Sequence, residues 1–285
     1  MPKRILGVGV VLVLLAGGAY ASRGTWRPLV EGLQQPAIPV ATPYRPATSS
    51  VSTTPTPTSS IDAPVAPSRI PSSTSPIPTP TSPTLVDPFV FEGTRPAEMN
   101  LAVPFMLQAP KQNWDMPYQE ACEEASLLMV RGFLQGKTTD FGADEADRQI
   151  LDLVAYEESK GDAPDVTLRR LGEIAEAKFG FRPVVRKVTS INEVKNAIAN
   201  GYPVIVPASG KALQNPNFRN GGPPYHMVVA KGYLADGRIV TNDPGTRKGK
   251  DYVYAASLFF NAIHDWNDGD VPNGEKIILV LLPKE

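Results

Sequence analysis

Residues 108–135 read QAPKQNWDMPYQEACEEASLLMVRGFLQ and contain Cys122, the only cysteine in a chain of 285 residues. The apolar residues after Cys122 recur at helical spacing, so the stretch predicts an amphipathic helix over residues 121–135, around which we expect the chain to be organised. The unpaired N–H groups at a helix N-terminus favour a thiolate. Glu123 and Glu124 oppose this effect, so a reactive thiolate needs a cationic neighbour. A buried, unreactive core cysteine is the alternative.

A second stretch supplies a histidine. Residues 225–245 read YHMVVAKGYLADGRIVTNDPG and place His226 at the start of a predicted strand, residues 227–234. An imidazole paired with a cysteine activates the sulfur and later protonates the leaving amine. His264 is the other histidine of the chain, and it follows a predicted helix, where the helix dipole alone favours a cation. His226 is therefore the favoured partner of Cys122, and an ordinary strand-edge histidine is the alternative.

A third group must accept a hydrogen bond from the imidazole and fix its tautomer. Asp243 follows the second strand of the predicted hairpin, where antiparallel pairing can bring a strand start and a strand end together. Asn242 is the neighbouring alternative, and Asp-Pro-Gly is also a turn signal. An oxyanion needs a second donor beside the backbone N–H of Cys122, and Gln108 and Gln119 are the two candidates.

The composition argues against several classes of function. A net charge of −1 gives no reason to expect a nucleic-acid partner. One cysteine cannot form an internal disulfide or a zinc cluster, and two histidines are too few for a histidine-rich metal site. We therefore expect neither a metal nor another cofactor.

Residues 1–22 read MPKRILGVGVVLVLLAGGAYAS and have the features of an export segment. Two basic residues precede an uncharged apolar and glycine run, and the Ala-Tyr-Ala that ends at residue 21 resembles a signal-peptide cleavage site. A cleaved signal peptide and an uncleaved membrane anchor over residues 5–21 are both open. In either case the rest of the chain is expected outside the cytoplasm, secreted or anchored to the cell membrane.

Residues 23–94 are predicted to be a disordered linker. Proline, serine and threonine fill 34 of the 53 positions in residues 36–88. Such a segment cannot bury enough apolar surface to offset its chain entropy, and its prolines favour extended conformations. The folded domain is expected over residues 95–285.

Predicted helices come before most of the predicted strands in this domain. That order indicates an α+β fold with helices packed on a mostly antiparallel sheet. The further helices are predicted at residues 144–159, 166–179, 190–200 and 255–263, and strands or extended segments at residues 100–107, 182–188, 203–208, 227–234, 238–241 and 276–282.

Three motifs, VPFMLQAP…WDMPYQEACEEASLLMV, YHMVVAKGY and TNDPGTRKG, resemble the C39-like peptidase family, the double-glycine peptidase relatives among the papain-like cysteine peptidases. The resemblance covers roughly residues 98–283. It implies a papain-like α+β fold. The roles it implies are nucleophile for Cys122, general base and acid for His226, orientation of the imidazole for Asp243, and oxyanion donor for Gln108.

The chain departs from the family pattern at two points. Glu123 stands where a glycine commonly follows the cysteine, and the interval between Gln108 and Cys122 is longer than in many relatives. Both departures lie beside the expected nucleophile, so they bear on the substrate and on the glutamine assignment.

The expected function is that of an exported cysteine peptidase that hydrolyses peptide or isopeptide bonds through a thioester intermediate. Its partner would be a peptide or protein substrate, with cell-wall peptide as one candidate. The alternative is a non-catalytic module on the same scaffold that binds peptide or cell wall, and a third interpretation is acyl transfer to an amine. The loop residues Thr246, Arg247 and Lys248 could bind an anionic group or a substrate carboxylate, or form a solvated loop.

Overall fold

The computed structural model describes residues 36–46 and 87–284. The predicted signal or anchor segment and most of the predicted linker lie outside the described residues. All elements below belong to one compact unit, which comprises the described residues up to Tyr44 and from Pro88 onward. None of the helices in the described part of the chain is long and apolar enough to span a lipid bilayer.

A seven-stranded antiparallel sheet forms the centre of this unit. Its strands are β1 Met99–Asn100, β2 Arg182–Lys187, β3 Val204–Ala208, β4 His226–Tyr233, β5 Ile239–Asn242, β6 Tyr252–Tyr254 and β7 Ile277–Leu282. They lie in the order β2-β7-β3-β4-β5-β6, and β1 pairs with β4. Every residue of β3, β4, β5 and β7 is buried, as expected for strands covered on both faces.

Five α-helices lie within the described residues: α1 Cys122–Leu134, α2 Ala143–Lys160, α3 Leu168–Phe179, α4 Ile191–Ala199 and α5 Ala256–Ala262. The combination of helices and an antiparallel sheet confirms the predicted α+β class. α1 packs against β4, where the Ser126 hydroxyl donates to the Met227 carbonyl oxygen at 3.3 Å. The prediction that this helix is amphipathic is wrong, because 12 of its 13 residues are buried, Glu123 and Glu124 among them.

The predicted helices and strands agree with the structure to within a few residues, with two exceptions. The lead-in predicted over residues 100–107 pairs as a strand only at Met99–Asn100, and Pro104 stands in the rest of it. The short strand β6 was not predicted. α4 begins with a capping box, in which the Glu193 carboxylate accepts from the Ser190 backbone N–H at 2.9 Å.

Two parts of the segment predicted as a linker contact the domain. Thr42 bridges to Leu101, and its backbone N–H donates to the Asn100 carbonyl oxygen at 2.8 Å. Phe89 is buried, and Asn196 of α4 donates to its carbonyl oxygen at 3.0 Å. Backbone groups beside β1 and a side-chain amide of α4 thus bind residues 42 and 89, which precede residue 95, the predicted start of the folded domain.

Candidate active site

His226 and Asp243 form a buried pair at one end of the sheet. His226 is the first residue of β4, opposite Ala208 of β3, and Asp243 directly follows β5. The His226 Nε2 lies 2.8 Å from the Asp243 Oδ1, and the two residues are 1% and 0% exposed. An ionised carboxylate is only an acceptor, so Nε2 carries the proton of this hydrogen bond. Nδ1 is then the ring nitrogen that can accept a proton from a reacting group.

Three further donors hold the Asp243 carboxylate. The Tyr254 hydroxyl donates to Oδ2 at 2.7 Å, the Asn215 side-chain amide donates to Oδ2 at 3.2 Å, and the Gly245 backbone N–H donates to Oδ1 at 3.0 Å. Asn215 also donates to the Tyr254 hydroxyl at 2.8 Å, which closes the network. The carboxylate is therefore satisfied on both oxygens although no water reaches it.

The sequence did not indicate Asn215 or Tyr254 as site residues. Asn215 lies in a long polar loop whose sequence carries no signal that separates it from its neighbours. Tyr254 belongs to β6, whose alternating Tyr-Val-Tyr pattern is typical of a short strand and could have indicated it.

The imidazole is enclosed on two further sides. The Phe218 ring meets it edge to face, with the ring centroids 5.1 Å apart. Gly245 lies so close that a Cβ atom there would stand 2.8 Å from the His226 Cε1 and 3.1 Å from Nε2. The ring is thus held by packing as well as by its bond to Asp243.

Cys122 is the first residue of α1, and its side chain points toward the start of β4. The thiol donates to the Glu123 Oε2 at 3.0 Å, and the Met227 backbone N–H donates toward the sulfur. The pKa of Cys122 is well above that of a free thiol, chiefly because of burial and next because of the Glu123 charge and hydrogen bond. The lowering expected from the helix N-terminus is therefore outweighed, because the residue is only 4% exposed and lies beside a carboxyl group.

The carboxyl groups beside Cys122 are also shifted toward their neutral forms. Burial raises the pKa of Glu123 and of Glu124 well above the usual range. Glu157 of α2 hydrogen-bonds to Glu124 of α1, and burial raises the pKa of Glu157 to about 7.

Cys122 and His226 line one cavity of about 510 Å³, together with Gln108, Gln119 and Trp114. Asp243 does not line it, because it lies behind the imidazole. The structure therefore brings Cys122, His226 and the two candidate oxyanion donors to one cavity. Asp243, the predicted orienting residue, contacts the imidazole from behind.

The side-chain amide of Gln108 has both of its donors engaged, and that of Gln119 uses one of its two donors. The Gln108 Nε2 donates to the carbonyl oxygens of Tyr118 and Gln119, both at 3.0 Å, and the Gln119 Nε2 donates to Glu120 at 2.8 Å. Gln108 is buried and holds the turn before α1, whereas Gln119 is exposed. An oxyanion contact from Gln108 requires one of its two donors to turn away from these carbonyls.

The two remaining alternatives lie elsewhere. The Asn242 amide donates to the Val103 carbonyl oxygen at 3.0 Å, which joins β5 to the chain before α1. The His264 Nδ1 lies 3.0 Å from the Gly274 carbonyl oxygen, and His264 is not among the residues that line the cavity of Cys122. The described residues contain no group of three or more histidine, cysteine, aspartate or glutamate side chains placed to hold a metal ion.

The sequence matches the Peptidase_C39 like family over residues 100–268, more than half of the chain, so the chain belongs to that family. The matched range contains all four predicted site residues. A crystal structure of a suspected C39-like peptidase from Bacillus anthracis aligns with 18% sequence identity and a TM-score of 0.45, covering 66% of this chain and 99% of that chain. No curated protein matches the sequence at a significant level.

Replacing Gly245 by Ala should displace the His226 ring, because a Cβ cannot stand 2.8 Å from the Cε1. We expect a loss of stability of about 1–3 kcal/mol and a changed imidazole environment. The chain has two histidines, so imidazole NMR resonances report on each. The His226 resonances should shift while those of His264 stay. Gly142→Ala is the matched control, since a Cβ there meets nothing within 4 Å. Unchanged His226 resonances would contradict the packing described.

Replacing Glu123 by Gln should lower the pKa of Cys122, because over the pH range in which the thiol ionises the Glu123 charge opposes the thiolate, and Gln removes that charge while the side-chain volume stays nearly constant. The pH profile of the alkylation of the single cysteine by iodoacetamide should therefore move to lower pH. Glu120→Gln is the control, since Glu120 lines the same cavity but does not affect the pKa of Cys122. Coincident profiles for wild type and Glu123→Gln would show that Glu123 does not govern the thiol.

Proposed function

We propose that the chain is a cysteine peptidase that hydrolyses peptide or isopeptide bonds through a thioester intermediate. The observation that carries the proposal is the His226–Asp243 pair on the cavity that Cys122 also lines. Membership of a C39-like peptidase family supports the same reaction class. A thiol alone would be a core residue, but a thiol that shares a cavity with an oriented imidazole has a proton acceptor.

The residues present define the order of steps. His226 accepts the Cys122 proton at Nδ1 as the sulfur attacks the substrate carbonyl carbon, and Asp243 stabilises the imidazolium through Nε2. The imidazolium then protonates the leaving amine as the C–N bond breaks. Water, deprotonated by His226, attacks the thioester, which releases a carboxylic acid and restores the thiol. The buried Asp243 keeps the ring in the tautomer that each step requires.

The oxyanion would form beside the first turn of α1. The backbone N–H of Cys122 points from a helix N-terminus, where donors have no partner within the helix. Gln108 is our proposed second donor, because it is buried and held against the loop before α1. It would act once the substrate draws one of its amide hydrogens from a carbonyl of that loop. Gln119 is the alternative donor.

We also propose a papain-like arrangement of the fold and an extracytoplasmic location. The papain-like arrangement is supported by the position of Cys122 at the start of a central helix and of His226 on the facing sheet.

The extracytoplasmic location is supported by the sequence of residues 1–22, which would be removed as a signal peptide or would anchor the chain in the membrane. The proline-rich residues after it would then tether the domain within reach of exported proteins or cell-wall peptide.

One observation favours the alternative, a peptide-binding or cell-wall-binding module without catalysis. The thiol is buried, its pKa is raised, and it donates to Glu123. A structural cysteine would show the same features. The alternative has no use for the four-donor network around Asp243, which is why we place it second.

Replacing Cys122 by Ala should abolish hydrolysis. We expect the rate at which a defined peptide mixture is cleaved to fall at least about 10³-fold, with product masses read by mass spectrometry. Iodoacetamide offers an independent test, since the chain has one cysteine and its alkylation should remove the same activity.

Full cleavage by the Cys122→Ala protein would overturn the mechanism. No cleavage by the wild type, with peptides retained equally by wild type and Cys122→Ala, would select the binding module instead. Cross-linked products in place of shortened ones would select acyl transfer.

A further inference from the structure

A second cavity of about 530 Å³ adjoins the one that holds Cys122 and His226. Trp114, Gln119, Arg219 and Gly245 line both, so the two form one continuous cleft. The second cavity extends along the turn that follows Asp243. Its other lining residues are Asn217, Thr246, Arg247 and Lys248.

The charge of this second cavity is one-sided. Arg219, Arg247 and Lys248 are exposed, and none of the three forms an ion pair with a residue that the structure describes. Arg247 donates to a neutral amide, the Gln112 Oε1, at 3.1 Å. Among the described residues that line this cavity, none carries a carboxylate. Three cations therefore face one cavity to which the described part of the chain brings no countercharge.

Neighbouring lysines are treated differently. Lys250 pairs with Asp140, and the buried Lys231 pairs with Asp251. Lys250 and Lys231, which do not line the second cavity, are thus neutralised by carboxylates. The three cations that line it have no such partner among the described residues. A solvated loop would not require this division.

Two carboxyl groups line the cleft outside the second cavity. Glu120 and Asp165 line the cavity of Cys122 but not the second cavity. A ligand carboxylate is repelled from these carboxyl groups and attracted to the cations of the second cavity. Cys122 lines the cavity that carries these carboxyl groups and not the second cavity, so the charge of the cleft favours a ligand whose carboxylate lies on the second-cavity side of Cys122.

The turn that carries two of the cations is rigid. The Asp243 backbone N–H donates to the Gly249 carbonyl oxygen at 2.9 Å, and the Lys248 backbone N–H donates to the Thr246 hydroxyl at 3.3 Å. A Cβ at Gly249 would overlap the Asp243 carbonyl oxygen, which shows how closely the turn closes on itself. The backbone that carries Arg247 and Lys248 is therefore held in part by Asp243, the residue that also orients His226.

We infer that the second cavity is a subsite for a carboxylate of the substrate, so that the substrate class is an acidic peptide with its negative group on one side of the scissile bond. Guanidinium groups suit this role because they bind a carboxylate through two parallel hydrogen bonds. Trp114 supplies an apolar wall for the adjoining part of the ligand. The inference rests on the proposed peptidase function for its substrate, but binding at the subsite can be measured without turnover.

The test is equilibrium binding to the full-length Cys122→Ala protein, read by fluorescence anisotropy. The probes are octapeptide pools labelled with an uncharged dye, with Glu or Gln fixed at one position and with a C-terminal acid or amide. We expect the Glu pools at one or more positions, or the C-terminal acids, to bind at least about tenfold tighter than their neutral counterparts, and this preference to weaken as salt rises. A preference for Glu at an internal position assigns a side-chain carboxylate, and a preference for the C-terminal acid assigns a chain end.

The double variant Arg219→Gln and Arg247→Gln should lose the preference, whereas Lys250→Gln, which removes a paired lysine, should keep it. Equal affinity for acidic and neutral pools, or a preference that survives the double variant, would overturn the subsite. Wild-type cleavage of the same pools separates the two proposals. Cleavage without charge preference removes the subsite and leaves the peptidase, and charge-dependent binding without any cleavage does the reverse.

Discussion

The hydrogen bond between His226 and the buried Asp243 is the interaction on which the rest of the site depends. A carboxylate shielded from water is tolerated only when its oxygens are satisfied, since an unpaired buried charge costs on the order of 3–5 kcal/mol. Four donors meet that requirement here, from β4, from β6, from the long loop before β4 and from the turn after β5. The sheet order β4-β5-β6 brings these segments together, so the orientation of the imidazole depends on the topology of the sheet.

The same packing decides the protonation state of Cys122, the proposed nucleophile. The start of α1 is buried against the start of β4, which brings the sulfur to the Met227 backbone and puts Glu123 out of reach of water. Burial and the neighbouring carboxyl outweigh the helix N-terminus, and Cys122 rests as a thiol. A resting thiol limits adventitious oxidation, since the thiolate is the reactive form. In the proposed mechanism, activation of the thiol then depends on the imidazole, which Asp243 holds in place.

Much of the fold and part of the site could be predicted from the sequence. Apolar periodicity, caps and turn residues gave the helices and six strands, because these signals act within a few residues of each other. The pairing of His226 with Asp243 followed from hairpin geometry. Asn215 could not be predicted, since its contact with Asp243 spans 28 residues of chain and comes from a loop without a distinguishing pattern. The pattern around Tyr254 could have indicated its strand, but not the contact between its hydroxyl and Asp243. The sequence indicated that Glu123 opposes a thiolate at Cys122, but not that burial is the largest cause of the raised pKa, because burial of the whole first turn is a tertiary effect.

The central claim is that His226 is the proton acceptor of Cys122, and the most direct measurement is the alkylation rate of the single cysteine at pH 7 in wild type and in His226→Ala. The account predicts that the wild type reacts at least about tenfold faster, since a positioned general base contributes about 10²–10⁴-fold to such a step. His264→Ala should react at the wild-type rate, because His264 does not line the cavity. Equal rates in wild type and His226→Ala would contradict the account and identify Cys122 as a structural residue.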